Sequence, residues 1–144
     1  MSQFLEIINE IKEFFIAHKQ VNDYGFGPST NISTVEHKFP MVWTEPITTP
    51  ISDFEIKYKF NIYSFTLYEQ DKENLVNSLN DTQLILLDFI SHFKHQRNDN
   101  YELSLDNINL DPFTAKFDNY TNGWILTIEF STAYTYDNCN NLDG

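Results

Sequence analysis

From Asp53 to Leu67 apolar and polar side chains alternate, and part-way along the alternation changes sides. Phe54, Ile56, Tyr58, Phe60 and Ile62 share one parity and Glu55, Lys57, Lys59 and Asn61 the other, the period-2 pattern of a half-buried strand. Beyond Ile62 the apolar residues are Tyr63, Phe65 and Leu67, while Ser64 and Thr66 take the parity that was hydrophobic before. A continuous strand of this length spans about 45–50 Å, whereas a globule of this size is about 37 Å across. Part of the strand is therefore expected to leave the core as an arm. Its second apolar face, Tyr63, Phe65 and Leu67 together with Trp43, is then the expected contact with another chain. A bulge after Ile62 that swaps faces within one fold is the alternative reading.

Two stretches carry helical spacing instead. Phe4, Ile8, Ile11 and Phe15, widened by Leu5, Ile7 and Phe14, oppose Glu6, Glu10, Lys12 and Glu13, which predicts an amphipathic helix capped at Ser2 and ending near Gln20. A polar run from Glu69 to Asn74 opens the second region, where Leu75, Leu79, Leu86, Ile90 and Phe93 keep one face. Asp81 is a good N-cap within it, so one kinked helix or two consecutive helices are expected, reaching about Gln96. Val21–Pro28 reads as turns, Val35–Trp43 as a strand interrupted by Pro40, and Glu45–Ser52 as a loop. Late strands are expected at Glu102–Leu105, Phe113–Phe117 and Trp124–Tyr134, with Asn122-Gly123 supplying a hairpin turn. The class is α+β: an antiparallel sheet with a long β-hairpin arm, packed against two main helices. Residues 1–144 are expected to form a single domain with 137–144 as a polar C-terminal tail.

Charge narrows the partners. Twenty-one acids against nine Lys and Arg give a net charge of −12, so no basic stripe can be built to grip phosphates, which argues against sequence-specific nucleic-acid binding. An acidic surface suits a passage through which DNA slides without sticking. The one cysteine, Cys139, precludes an intrachain disulfide and a Cys-based zinc site, and points to a reducing compartment. The first residues carry no positive leader and no apolar run approaches the ~18 residues that span a bilayer, so neither standard secretion nor membrane insertion is expected.

Candidate chemistry is sparse. Asp88, His92 and His95 fall on one helical face and form the best metal-ligand pattern, although histidines in a last helical turn are also what the helix dipole favours. Asp106 with Asp111, or Asp118 near Asp111, are carboxylate pairs of a kind used in acid–base work or calcium binding, and an acid-rich chain produces such pairs by chance. Tyr24-Gly25-Phe26-Gly27 offers a GxG, but after a helix, which is the wrong context for a dinucleotide site. No catalytic residue, metal or cofactor is assigned, and the chain is not expected to be an enzyme.

Several segments carry a resemblance: Tyr24-Gly25-Phe26-Gly27, Phe39-Pro40-Met41-Val42-Trp43, Tyr58-Lys59-Phe60-Asn61-Ile62, Ser78-Leu79-Asn80-Asp81-Thr82-Gln83 leading into Leu84–Asp88, Asp111-Pro112-Phe113, Asn122-Gly123-Trp124 and Asp137-Asn138-Cys139. With this order of elements, the chain resembles the tail-terminator and tail-completion proteins of tailed bacteriophages, most closely the small neck or ring proteins of crAss-like phages. It departs from their pattern after Cys139, where Asn140-Asn141-Leu142 stand in place of an early proline. The resemblance implies a virion protein made in the host bacterial cytoplasm, forming a homo-oligomeric ring of six or twelve copies between portal and tail. Such a ring contacts other portal, neck or tail proteins and lets genomic DNA pass without binding it specifically. Asp71, Glu73, Asp106, Asp111 and Asp118 are then candidate acids of the lumen wall. A small acidic accessory or host-directed binding protein, monomeric or dimeric, is the alternative.

Overall fold

Ile7, Ile11 and Phe15 recur every fourth residue and are fully buried, which folds the first apolar stripe as helix α1, Gln3–Ala17, against a sheet. The computed structural model describes residues 3–34, 38–52, 54–67, 72–95, 100–104, 108–114 and 121–133. Helix α2, Lys72–His95, runs without a break. No new helix starts at Asp81, because the Thr82 hydroxyl bonds back to the Ser78 carbonyl of its own turn at 2.8 Å and leaves the ladder intact. Strands β1 (Asp23–Phe26), β2 (Met41–Pro46), β3 (Glu55–Leu67), β4 (Glu102–Leu103), β5 (Asn109–Thr114) and β6 (Thr121–Ala133) form one sheet. Its order is β1-β2-β3-β6-β4, with β5 also on β6. Only the β1–β2 pair is parallel, so the segment between them crosses over by way of a 3-10 turn at Ser29–Thr34.

Register assigns the side chains to two faces. The helix face carries Phe60, Ile62, Leu126, Ile128 and Phe130, which join Ile7, Ile11, Phe15, Ile85, Leu86 and Phe89 in the main core. Phe15 stacks on Phe89 at 5.0 Å between ring centroids and on Tyr24 at 5.8 Å, tying α1 to α2 and to the sheet. The opposite, far face is polar along Lys57, Lys59 and Asn61, where Lys59 sits across from Glu129 and the Thr127 hydroxyl donates to Asn61 Oδ1 at 2.9 Å. Further along, the far face becomes a second core of Ile32, Met41, Trp43, Tyr63 and Phe65, with Phe39, Phe113 and Ile125 against it.

That second core corrects the expected arm. β3 and β6 pair continuously from Glu55 opposite Ala133 to Leu67 opposite Thr121, with no bulge. The change of parity at Ile62 marks where the sheet begins to be covered on both faces, by helices on one side and by the 3-10 crossover on the other. The hairpin arm lies at the other end of the strand. Beyond β2 the chain stays beside β3: Ile47 N–H donates to the Lys59 carbonyl at 3.0 Å, Lys57 N–H to Pro50 at 3.0 Å, and Ser52 N–H to Glu55 at 2.8 Å. The stretch expected to be a loop is irregular beyond Pro46, but these bonds and an isolated bridge between Ile51 and Ile56 hold it beside β3, hairpin-like, out to Ser52.

Three smaller expectations also change. Val21–Pro28 contains a strand, β1, because Gly25 leaves room for the Trp43 ring: a Cβ at Gly25 would overlap Cε3 and Cζ3. Strand β2 begins at Met41: residues 38–40 of the expected strand lie outside it, and 35–37 lie outside the described residues. Asn122 and Gly123 lie inside β6, where Gly123 serves close approach, since a Cβ there would run into the Ser64 carbonyl and the Phe65 backbone.

Candidate functional site

Two places on the surface concentrate features that a plain fold does not need. One is a groove of about 560 Å³ between the end of α1 and α2, lined by Glu10, Glu13, Phe14, Ala17, His18 and His92. The second is the hairpin tip, where Ile51 is 69% and Phe54 77% exposed.

In the groove, His18 Nε2 lies 2.9 Å from Asp88 Oδ2. The other ring nitrogen, Nδ1, accepts the Gln20 backbone N–H at 3.2 Å, so the proton of a neutral ring sits on Nε2 and is donated to the carboxylate. Both nitrogens are thus occupied, and the pair works as a staple between the end of α1 and the middle of α2. His92 packs on the Phe14 ring at 5.0 Å and edge-on to Phe93 at 5.0 Å. The pattern Asp88, His92, His95 is therefore not brought to one point: Asp88 turns to His18, His92 to the aromatics, and His95 is exposed on the last turn. Among the described residues no group of three or more His, Cys, Asp or Glu is placed to hold a metal ion. Sequence alone could not pair His18 with Asp88, seventy positions away.

The expected interface residues fall mostly elsewhere. Trp43 is 7%, Tyr63 4% and Phe65 1% exposed, covered by their own chain, and only Leu67 at 46% remains available. Trp43 Nε1–H donates to the Gly27 carbonyl at 2.9 Å, which fixes the indole over β1; Gly27 itself has φ +139°, a conformation that favours glycine. The Tyr63 hydroxyl donates to Glu45 Oε1 at 2.9 Å, and Glu45 Oε2 accepts the Ser29 N–H, locking the 3-10 crossover to the sheet. Burial raises the Glu45 pKa, but the bonds from Ser29, Tyr63 and Asn61 outweigh it and hold the carboxyl below its ordinary value. Burial, followed by the neighbouring Glu45, raises the Tyr63 phenol. Burial of Tyr24 pushes its phenol up to about 12, against a smaller opposite effect of its bond to Thr44.

Of the candidate lumen acids, Asp111 is exposed on β5 and Glu73 falls in the first turn of α2. The Glu73 side chain, together with Asp71, Asp106 and Asp118, lies outside the described residues, as do the 137–144 tail and Cys139. No helix among the described residues is long and apolar enough to cross a membrane.

The tip is what sequence reasoning missed. Ile51 and Phe54 are large apolar side chains in water, held out by a hairpin whose strands are hydrogen-bonded to within a residue of the turn. The signal was present, since Phe54 belongs to the parity set of the strand; the hairpin simply ends before the core reaches it. No protein-family model matches the chain, and no curated protein matches it in sequence.

Proposed function

We propose that this chain is a structural subunit that assembles with copies of itself into a ring, in the neck or tail of a tailed bacteriophage virion, and that its work is adhesion, not catalysis. The observation that carries this reading is the hairpin tip, with Phe54 77% and Ile51 69% exposed on a hydrogen-bonded arm. Two adjacent apolar side chains held in water stabilise nothing within the chain; covering them is worth about 25 cal/mol per Å² of apolar area.

The interior polar groups support the same reading. The side chains of Trp43, Tyr63, Glu45 and Ser64 are each spent on joining one element to another, as a rigid building block requires. The negative charge suits a wall along which DNA moves without adhering, and portal, neck and tail proteins are the neighbours such a ring would contact.

Light scattering on the purified chain tests the proposal. A mass several times 17.0 kDa, with ring-shaped class averages in negative-stain electron micrographs, is the expected outcome. A mass of 17.0 kDa at all accessible concentrations would overturn it in favour of a monomeric accessory binding protein.

A further inference from the structure

The tip has a matching receptor on the same molecule. A cleft of about 290 Å³, lined by Lys12, Ile16, Val21, Asn22, Asp23 and Tyr24, opens where the last turns of α1 meet the free edge of β1. Its polar side chains are already engaged. Asn22 donates to the Phe39 carbonyl at 2.7 Å, Asp23 accepts the Tyr24 and Lys38 backbone N–H groups, and the Tyr24 hydroxyl donates to Thr44 at 2.8 Å. What remains is an apolar lining of Ile16, which is 60% exposed, Val21 and the Tyr24 ring, rimmed by the exposed Lys12.

Building on the ring proposed above, we infer that Phe54 of one copy inserts into this α1–β1 cleft of the next. Three observations favour a second copy as the occupant. First, charge: Phe54 stands between Asp53 and Glu55 in the chain, with Lys57 3.5 Å from Glu55, and the cleft sets Lys12 on its rim against a single carboxylate, Asp23, that is already taken up by the Tyr24 and Lys38 N–H groups. The larger groove presents Glu10 and Glu13, which repel the same tip. Second, position: the cleft lies level with Asp23, Met41 and Phe65, and the tip level with Glu55, about 33 Å away along β3 at ~3.3 Å per residue. A knob and a socket at opposite ends of one molecule cannot satisfy each other within it, and they generate head-to-tail contacts, which close into a ring where the rotation between copies permits. Third, chemistry: an aromatic anchor entering an apolar pocket with a charged rim is the arrangement that concentrates binding energy.

The test uses two single variants of the full chain. Phe54→Ser removes the knob and Ile16→Asp spoils the socket, and both residues are exposed, so the fold should hold, with the melting temperature unchanged at a dilution where the wild type has dissociated. Each variant alone is expected to self-associate at least about tenfold more weakly, that is by about 1.4 kcal/mol. Each Phe54→Ser copy keeps its socket and each Ile16→Asp copy its knob, so the equimolar mixture should run as a heterodimer of twice the 17.0 kDa chain mass. Lys12→Glu should weaken assembly likewise, and Glu55→Lys on the partner copy should restore it. If both variants assemble as well as the wild type, or their mixture stays monomeric, the pairing is wrong while the ring stands. A wild type that never assembles removes the ring reading and this pairing with it.

Discussion

Phe65 on β3 and Phe54 just before its first residue sit eleven positions apart, and the fold assigns them opposite jobs that a pair of truncations separates. Phe65 is 1% exposed and lies 6.0 Å from the Phe39 ring and 6.1 Å from the Phe113 ring. Replacing it by alanine removes a fully buried ring and leaves a cavity walled by β2, β5 and the crossover, a change that costs about 3–5 kcal/mol. With a urea m-value of about 2 kcal/mol per M, the midpoint should fall by roughly 1.5–2.5 M. Phe54→Ala removes a ring already 77% in water and should change the same midpoint by no more than about 0.5 kcal/mol's worth. Because assembly itself adds apparent stability, both are to be unfolded at a dilution where the wild type has dissociated. Light scattering at higher concentration then reads assembly, which Phe54→Ala should weaken. A Phe65→Ala chain that keeps its urea midpoint and loses only its assembled mass would return Tyr63 and Phe65 to an intersubunit face and refute the second core.

Gly25→Ala should cost about 1–3 kcal/mol by driving a methyl into the Trp43 ring; on a Trp43→Leu background the same change should cost little, and additive melting data would show that the two residues do not couple. Glu45 has a folded pKa below the ordinary 4.5, so its contribution is full above that value and is lost as pH falls from about 4.5 through the folded pKa. Glu45→Gln should therefore be less stable than wild type by roughly 1–2 kcal/mol at pH 7, with the gap closing in acid; a gap that stays constant down to pH 3 would mean the carboxylate charge does not hold the 3-10 crossover.

Periodicity located both helices and the two long strands, because Ile7, Ile11 and Phe15, or Phe60, Ile62, Leu126 and Ile128, face a single broad core and repeat at the period of their element. It failed where a face is covered by something aperiodic. Ile32 is the only large apolar residue in Ser29–Thr34, yet it is 1% exposed and roofs Met41, Trp43, Tyr63 and Phe65. Without that roof in view, the apolar far face of β3 reads as an interface. β1 escaped for a related reason: four residues, one of them a glycine, carry no alternation, and they form a strand only because Trp43 needs Gly25 beneath its ring. The same limit hid the His18–Asp88 staple, whose partners lie just past the end of α1 and within α2.

Covering the sheet on both faces decides where assembly can occur. With helices on one side and the crossover on the other, the end of the sheet near Phe65 offers a partner no broad apolar plane, and the outer strands are short or blunted: β1 and β4 have four and two residues, and the six-residue β5 carries Pro112. Among the described residues the large exposed apolar side chains are Ile51 and Phe54 on the tip, Ile16 beside the β1 cleft, Val76, Leu84 and Leu87 on α2, and Leu5, Phe26 and Leu67. Copies carrying a net charge of −12 repel one another wherever they meet without a local match. At physiological salt that repulsion is screened beyond about 8 Å, so a contact succeeds when the charges within that radius oppose. In the proposed pairing the tip, with Glu55 and its neighbour Lys57, meets a cleft that balances Lys12 against Asp23, whereas two grooves carrying Glu10 and Glu13 have no such balance. In the proposed ring an acidic surface thus favours the head-to-tail contact over symmetric ones, and head-to-tail contacts close into a ring where the rotation between copies permits.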